Sequence, residues 1–350
     1  VDTHAALIKR KLSKQHEAEK EAWLMRRKSF GLLFIVMLVA PQVYAARECA
    51  IQQYAELPIM ISESRPFISG TVNGQPARFV VDSTVPYSVI SLENALKWNL
   101  KMEQRPSEIT RNRASGGEDA GIAKVKELSL AGLAGGRVVK DVEFMVLARK
   151  FDPNTIGLIG RDLIGSADTE YDLANGVIRL FYSKYCSGQS LAYWHGTTGV
   201  AEIKLEFNRE PEVGQSFILP EGLTAAATVN GKKIRVLFST GASHSLLSTK
   251  AAKRVGIKTE GEAVVAAGAV LPIDGSNVDA RVARVDSLNL GGESHKDVQV
   301  LVGDLKSFPF VDLLLGADFF LSHRVYIASN PRGVYFTYSG GPLFNLMPAK

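Results

Sequence analysis

Short apolar runs separated by turn residues dominate the chain from about residue 55 onward. Ala77–Val81 (ARFVV), Val142–Leu147 (VEFMVL), Ile234–Phe238 (IRVLF) and Val298–Val302 (VQVLV) are rich in β-branched and aromatic residues. Such runs suit a pleated, half-buried surface and predict strands. Asn73-Gly74 and Asn230-Gly231 each join two apolar runs. An Asn-Gly pair supplies the two positive-φ positions that a tight hairpin turn needs. Helical pattern is scarce: Leu92–Trp98 and Thr249–Val255 are the best stretches. Many short strands with one or two short helices predict an all-β fold.

The pattern occurs twice. Thr71-Val72-Asn73-Gly74 recurs as Thr228-Val229-Asn230-Gly231, and the offset of 157 holds as far as Ser91 and Ser248. Further on, Leu128-x-Leu130-x-Gly132 echoes Leu288-x-Leu290-Gly291. Leu158-Ile159-Gly160-Arg161-Asp162 likewise echoes Leu314-Leu315-Gly316-Ala317-Asp318. Ala55-Glu56-Leu57 matches Ala201-Glu202-Ile203, and both copies close on a strand, Gly176–Tyr182 and Gly333–Tyr338. The expected organisation is an N-terminal extension with signal peptide over 1–45, one lobe over 46–182, a linker over 183–200 rich in Gly, Ser and Thr, and a second lobe over 201–350.

The chemistry-bearing motif lies at the heart of each repeat. A strand ending in Phe79-Val80-Val81 runs into Asp82-Ser83-Thr84-Val85, then Ser88-Val89-Ile90-Ser91. Its counterpart is Val236-Leu237-Phe238, Ser239-Thr240-Gly241-Ala242, then Ser245-Leu246-Leu247-Ser248. These segments resemble the catalytic loop of retropepsin-like aspartic proteases, Asp-Thr/Ser-Gly-Ala. Ile159-Gly160 and Leu315-Gly316 resemble that family's second hallmark, a glycine that passes behind the loop. The resemblance covers most of residues 55–338. It implies two tandem β-barrel lobes with a cleft between them. Extended peptide would lie there as an added strand, under hairpin flaps near Gly116-Gly117 and Gly268; ordinary loops are the other reading of those glycines. It places Asp82 and Ser239 at the two catalytic positions, with Ser83, Thr84, Thr240, Gly241 and Ala242 beside the substrate, and implies neither cofactor nor metal.

Two carboxylates held close share one proton and supply both the base and the acid of peptide hydrolysis. Here the motif departs from the family. Asp82 is kept, but Thr84 stands where glycine is expected, and Ser239 stands where the second Asp belongs. A serine hydroxyl does not ionise near neutral pH, and a β-branched residue replaces glycine where backbones should approach closely. The expectation is an aspartic-protease-family protein with weak or absent peptidase activity; the alternative is a non-catalytic periplasmic peptide- or protein-binding module. Asp162 and Asp318 are expected to cap the short helices that follow the hallmark glycines. His244 near Ser239 invites a Ser/His hydrolase reading, without an evident third partner. Pairing of Asp82 from two chains is disfavoured by the effective concentration of the chain's own second lobe, so a monomer is expected.

Charge and cysteine usage add the setting. Of 41 Lys/Arg and 36 Asp/Glu, residues 1–45 hold 8 and 4, so the remainder is nearly neutral and no nucleic-acid surface is implied. Met25-Arg26-Arg27-Lys28, the apolar run Phe30–Ala40 and Val43-Tyr44-Ala45 have the layout of a secretory signal peptide cleaved after Ala45, with Met25 as the expected start. The apolar run is too short to span a bilayer comfortably, so a signal anchor is the rival and no lasting membrane anchor is expected. A periplasmic or secreted location follows. Cys49 and Cys186 flank the first lobe; a disulfide and two free thiols both fit. The resemblance favours the bridge, because terminal strands of such lobes lie together.

Overall fold

The two Asn-Gly pairs form the turns their chemistry allows. Asn73 and Gly74 have φ of 49° and 81°, and Asn230 and Gly231 have 50° and 72°, so both sites adopt the left-handed turn that matches strand twist. Each turn joins a two-strand hairpin, Arg65–Val72 with Gln75–Val81 and Thr224–Val229 with Lys232–Phe238. Each asparagine side chain is also used: Asn73 Oδ1 accepts from the Glu127 N–H at 3.0 Å and Asn230 Oδ1 from the Ser287 N–H at 3.1 Å. The computed structural model describes residues 48–346 apart from 104–118, 149–150, 152–153, 166, 195–198, 207–222, 259–264, 271–277, 307 and 331; for 119–120, 134 and 265–270 it describes the backbone alone. The signal-peptide segment lies outside the described residues, and no helix among them is long and apolar enough to cross a membrane.

Each hairpin grows into a closed six-stranded barrel. In the first lobe the order is Arg65–Val72, Gln75–Val81, Gly157–Ile159, Val89–Ser91, Val139–Leu147 and Asp119–Leu130, and Gly70↔Leu130 through Val72↔Leu128 closes the ring. The second lobe repeats this with Thr224–Val229, Lys232–Phe238, Leu313–Leu315, Leu246–Ser248, Glu293–Gly303 and Val278–Leu290, closed by Thr228↔Asn289 and Val229↔Leu288. The expected helices form at Leu92–Lys97 and Thr249–Arg254, started by Ser91 and Ser248, whose hydroxyls accept from Asn94 N–H and Ala251 N–H.

An antiparallel sheet joins the lobes. It runs Ala50–Pro58, Val177–Lys184, Asp168–Asp172, His323–Ser329, Arg332–Tyr338, Ala201–Glu206. The lobes meet where Thr169↔Ile327, Glu170↔Tyr326 and Tyr171↔Val325 pair, a register that puts the pseudo-two-fold axis at Glu170 and Tyr326. Asp168–Asp172 is acidic yet buried along its whole length. Buried charge must be paired: Glu170 meets Arg179 at 2.6 Å and Arg324 at 3.0 Å, and Asp168 accepts from Tyr326 hydroxyl and from Ser329 N–H and hydroxyl. Cys49 and Cys186 are disulfide-bonded and tie the first strand of this sheet to the segment after Val177–Lys184. Part of that inter-lobe segment is packed: Leu191 and Ala192 are buried with Phe181, Tyr326 and Tyr335.

Candidate active site

Two strands deliver the site. Gln75–Val81 ends at Asp82 and Lys232–Phe238 ends at Ser239. In each lobe the hallmark strand lies parallel behind, and its last carbonyl takes the loop N–H: Asp82 N–H to Ile159 O at 2.9 Å, Ser239 N–H to Leu315 O at 2.8 Å. The following glycines have no room for a side chain. A Cβ on Gly160 would lie 2.7 Å from the Tyr87 carbonyl carbon, and one on Gly316 would lie 2.4 Å from that of His244.

The loops interlock by reciprocal hydrogen bonds. Ser83 N–H donates to Thr240 Oγ1 at 3.0 Å, and Thr240 N–H donates to Ser83 Oγ at 3.1 Å. Each hydroxyl then donates onward, Ser83 Oγ to Phe238 O at 3.1 Å and Thr240 Oγ1 to Val81 O at 2.8 Å. Three buried polar groups per side, an N–H, a hydroxyl and a carbonyl, are thereby satisfied within the pair of loops, which fixes Asp82 and Ser239 on opposite sides of the axis. Asp82, Ser83, Thr84, Ser239, Thr240 and Ala242 are all buried.

The two halves differ at residues 82 and 84 against 239 and 241. Asp82 Oδ1 accepts from Thr84 N–H at 2.8 Å and Thr84 Oγ1 at 2.7 Å. Gly241 lies directly against that carboxylate: a Cβ there would come 2.3 Å from Asp82 Oδ2. Ser239 Oγ has no hydrogen-bond partner among the described residues. Thr84 does not hold the loops apart, contrary to what its branching suggested; the interlock is closed on both sides, and Thr84 is not among the positive-φ residues. Gly241 faces Asp82, and the pseudo-two-fold relation makes Thr84 the counterpart of Gly241 and Ser239 that of Asp82.

Other sequence expectations fall out as follows. Asp162 and Asp318 are not N-caps; Gly160 and Gly316 hold those positions, without a side-chain bond. The two aspartates instead tie down the far end of the active loops. Asp162 accepts from Ser88 N–H and hydroxyl, and Asp318 from Ser245 N–H and hydroxyl. Ser88 and Ser245 hydroxyls in turn accept from Gly160 N–H and Gly316 N–H. Burial pushes both carboxyls above the usual aspartate range, against the pull of those bonds. This serine–aspartate clasp escaped the sequence reading, although Ser88 and Ser245 recur at the repeat offset. His244 Nδ1 pairs with Ser243 Oγ at 2.7 Å, not with Ser239, so the Ser/His reading has no geometric support. Gly268 lies in a hairpin, at a register break where Val265–Val270 pairs with Val278–Leu290; Gly116 and Gly117 lie outside the described residues. Tyr171, on the inter-lobe sheet, carries no sequence signal, yet its phenol is pushed up by burial and then by the charge of Asp82. A cavity of about 170 Å³ bounded by Ser83, Tyr171, Leu205, Leu223 and Ser329 lies on the inter-lobe sheet side of the interlock, and neither Asp82 nor Ser239 lines it.

Comparison with known proteins adds independent weight. Residues 225–319 match the model of an aspartyl protease family, and residues 68–166 match that of gag-polyprotein putative aspartyl proteases. No curated protein matches the chain in sequence. Among solved structures, basic 7S globulin from soybean is similar at 12% identity and TM-score 0.44, over 82% of this chain and 94% of that one. The aspartic proteinase from Irpex lacteus is similar at 10% identity and TM-score 0.44, over 83% and 97%. The retropepsin-like aspartic protease from Rickettsia conorii is similar at 17% identity and TM-score 0.26, over 39% and 95%. The two matched segments are the ones that carry the interlocked loops and the glycines behind them, one in each barrel, and the chain belongs to the retropepsin-like aspartic protease family.

Proposed function

We propose that the protein holds extended peptide in the cleft between its lobes and hydrolyses it weakly or not at all. One observation carries this reading: the interlock that positions a catalytic pair is complete, while one member of the pair is Ser239. Hydrolysis without a covalent intermediate needs one group to take a proton from water and another to give one to the carbonyl oxygen. Two carboxylates sharing a proton do both. Asp82 supplies one carboxylate; the Ser239 hydroxyl can hydrogen-bond water or substrate but cannot share that proton as an acid.

Peptide in the cleft would pair main chain to main chain with the hairpins Lys101–Glu103/Asp119–Leu130 and Val265–Val270/Val278–Leu290. The Cys49–Cys186 bridge supports work in an oxidising compartment, periplasmic or extracellular, and the paired lobes within one chain support a monomer. The test is digestion of a peptide library from acid to neutral pH beside an Asp82→Asn control. Slow or absent cleavage is expected. Robust cleavage that Asp82→Asn abolishes would show a working catalyst and refute the reading.

A further inference from the structure

We propose that Glu293, His295 and His323 form a binding site for a divalent transition-metal ion of the zinc type. One ligand atom from each lies within 4.8 Å of the other two. Glu293 and His295 are alternate residues of Glu293–Gly303, so their side chains leave the strand on the same face. His323 opens the strand His323–Ser329 and brings its ring to them. Glu293 Oε1 is 3.0 Å from His323 Nε2 and is also in contact with His295 Nε2. Ligand atoms placed tetrahedrally at zinc bond lengths are about 3.3 Å apart, so the cluster needs only small side-chain shifts to enclose an ion.

The His323 ring is oriented as a ligand. It is fully buried, stacked on Phe319 at 4.1 Å with Tyr338 and Phe336 at its edges. Nδ1 faces the Phe319 carbonyl oxygen at 2.9 Å and the Ser322 hydroxyl at 2.9 Å. A carbonyl only accepts, so Nδ1 carries the proton. That leaves Nε2 as the nitrogen turned to the cluster, the orientation of metal-ligating histidines anchored by a backbone carbonyl. Nε2 in turn faces a carboxylate oxygen. A metal ion seated between Nε2 and that oxygen would be ligated by both.

The outer side of the cluster reaches solvent. The His295 and Glu293 side chains are 26% and 19% exposed, against 0% for His323. An ion can enter there and keep a water as its fourth ligand. Two imidazoles and one carboxylate suit Zn²⁺, Cu²⁺ or Ni²⁺, whereas Ca²⁺ and Mg²⁺ favour all-oxygen sets. The fold does not demand this cluster. The pseudo-two-fold relation that maps Asp162 onto Asp318 maps Ala167 onto His323, so the first barrel is built without it.

The test is calorimetric titration of the chelator-treated chain with ZnCl₂ in a non-coordinating buffer at neutral pH. One Zn²⁺ per chain is expected, binding more weakly as pH falls because protons compete for the imidazoles. His295→Ala and Glu293→Gln should each weaken binding at least about tenfold. Both side chains reach the surface, and metal-free thermal unfolding shows which variant is folded and therefore decides. Ca²⁺ and Mg²⁺ should not displace Zn²⁺. No stoichiometric binding by the parent chain, or binding unchanged in the folded variants, would overturn the proposal and leave a carboxylate–imidazole ion pair.

Discussion

Ser239→Asp restores the second carboxylate, and the structure says it should not be tolerated alone. Asp82 is accommodated because the residue across from it is Gly241, where any Cβ would come 2.3 Å from Oδ2 and 2.5 Å from Cγ. The pseudo-two-fold relation sets residue 84 against residue 239 in the same way. An aspartate at 239 therefore meets the Cβ of Thr84 at a similar, sub-van-der-Waals distance. Overpacking of this kind costs about 1–3 kcal/mol, beyond the several kcal/mol for burying a second charge until the pair shares a proton. Thr84→Gly alone should cost about 2–4 kcal/mol, because it removes the Oγ1 bond to the Asp82 carboxylate and adds glycine's chain entropy. Together the changes should be less harmful than their sum by about 1–3 kcal/mol. Urea unfolding of the parent, both single variants and the double variant measures that coupling directly. The double variant should also gain peptidase activity at acid pH that a further Asp82→Asn removes. Additivity within about 0.5 kcal/mol would refute the facing arrangement of 84 and 239. Favourable coupling without activity would leave that geometry standing and favour the binding reading of the cleft.

Four further outcomes follow from the same contacts. Thr240→Val should destabilise by about 2–5 kcal/mol in denaturant unfolding, since Ser83 N–H and Val81 O both lose their partner in a buried setting. Gly241→Ala should cost more than a typical surface glycine replacement, read by the same unfolding curve, because its methyl overlaps the Asp82 carboxylate. Replacing both cysteines by serine should lower stability by about 5 kcal/mol on the loop-entropy model, given a sequence separation of 137; thiol labelling of the unreduced protein should find neither cysteine free. Asp318 has a raised carboxyl, so its contribution is fully present below the unfolded aspartate range and is lost as pH rises through its raised value. Asp318→Asn should flatten that limb of the pH–stability curve.

The barrels were legible, and so were the closing strands Gly176–Tyr182 and Gly333–Tyr338, but the strand pair that joins the lobes was not, for a physical reason. Asn73-Gly74 and Asn230-Gly231 dictate turns by their own chemistry, and the repeat offset carries Asp82 onto Ser239 and Ser83 onto Thr240. Asp168–Asp172, in contrast, reads DTEYD, a composition that argues for an exposed loop. It is a buried strand because Arg179, Arg324, Tyr326 and Ser329 converge on it, and the last three lie more than 150 residues away. Nothing local announces such a partner. The same holds for His323, whose companions Glu293 and His295 sit on another strand.

The interlock does not depend on which residue stands at 239. The loops hold each other through Ser83 and Thr240, main-chain N–H groups and the carbonyls of Val81 and Phe238, none of which belongs to the reacting pair. A serine at 239 therefore leaves the joint between the lobes satisfied. With Thr84 donating to Asp82 Oδ1, an aspartate at 239 is expected to be disfavoured by overlap with the Thr84 side chain. The two departures from the family pattern are thus expected to be coupled, and reversing both together should cost less than the sum of reversing each alone.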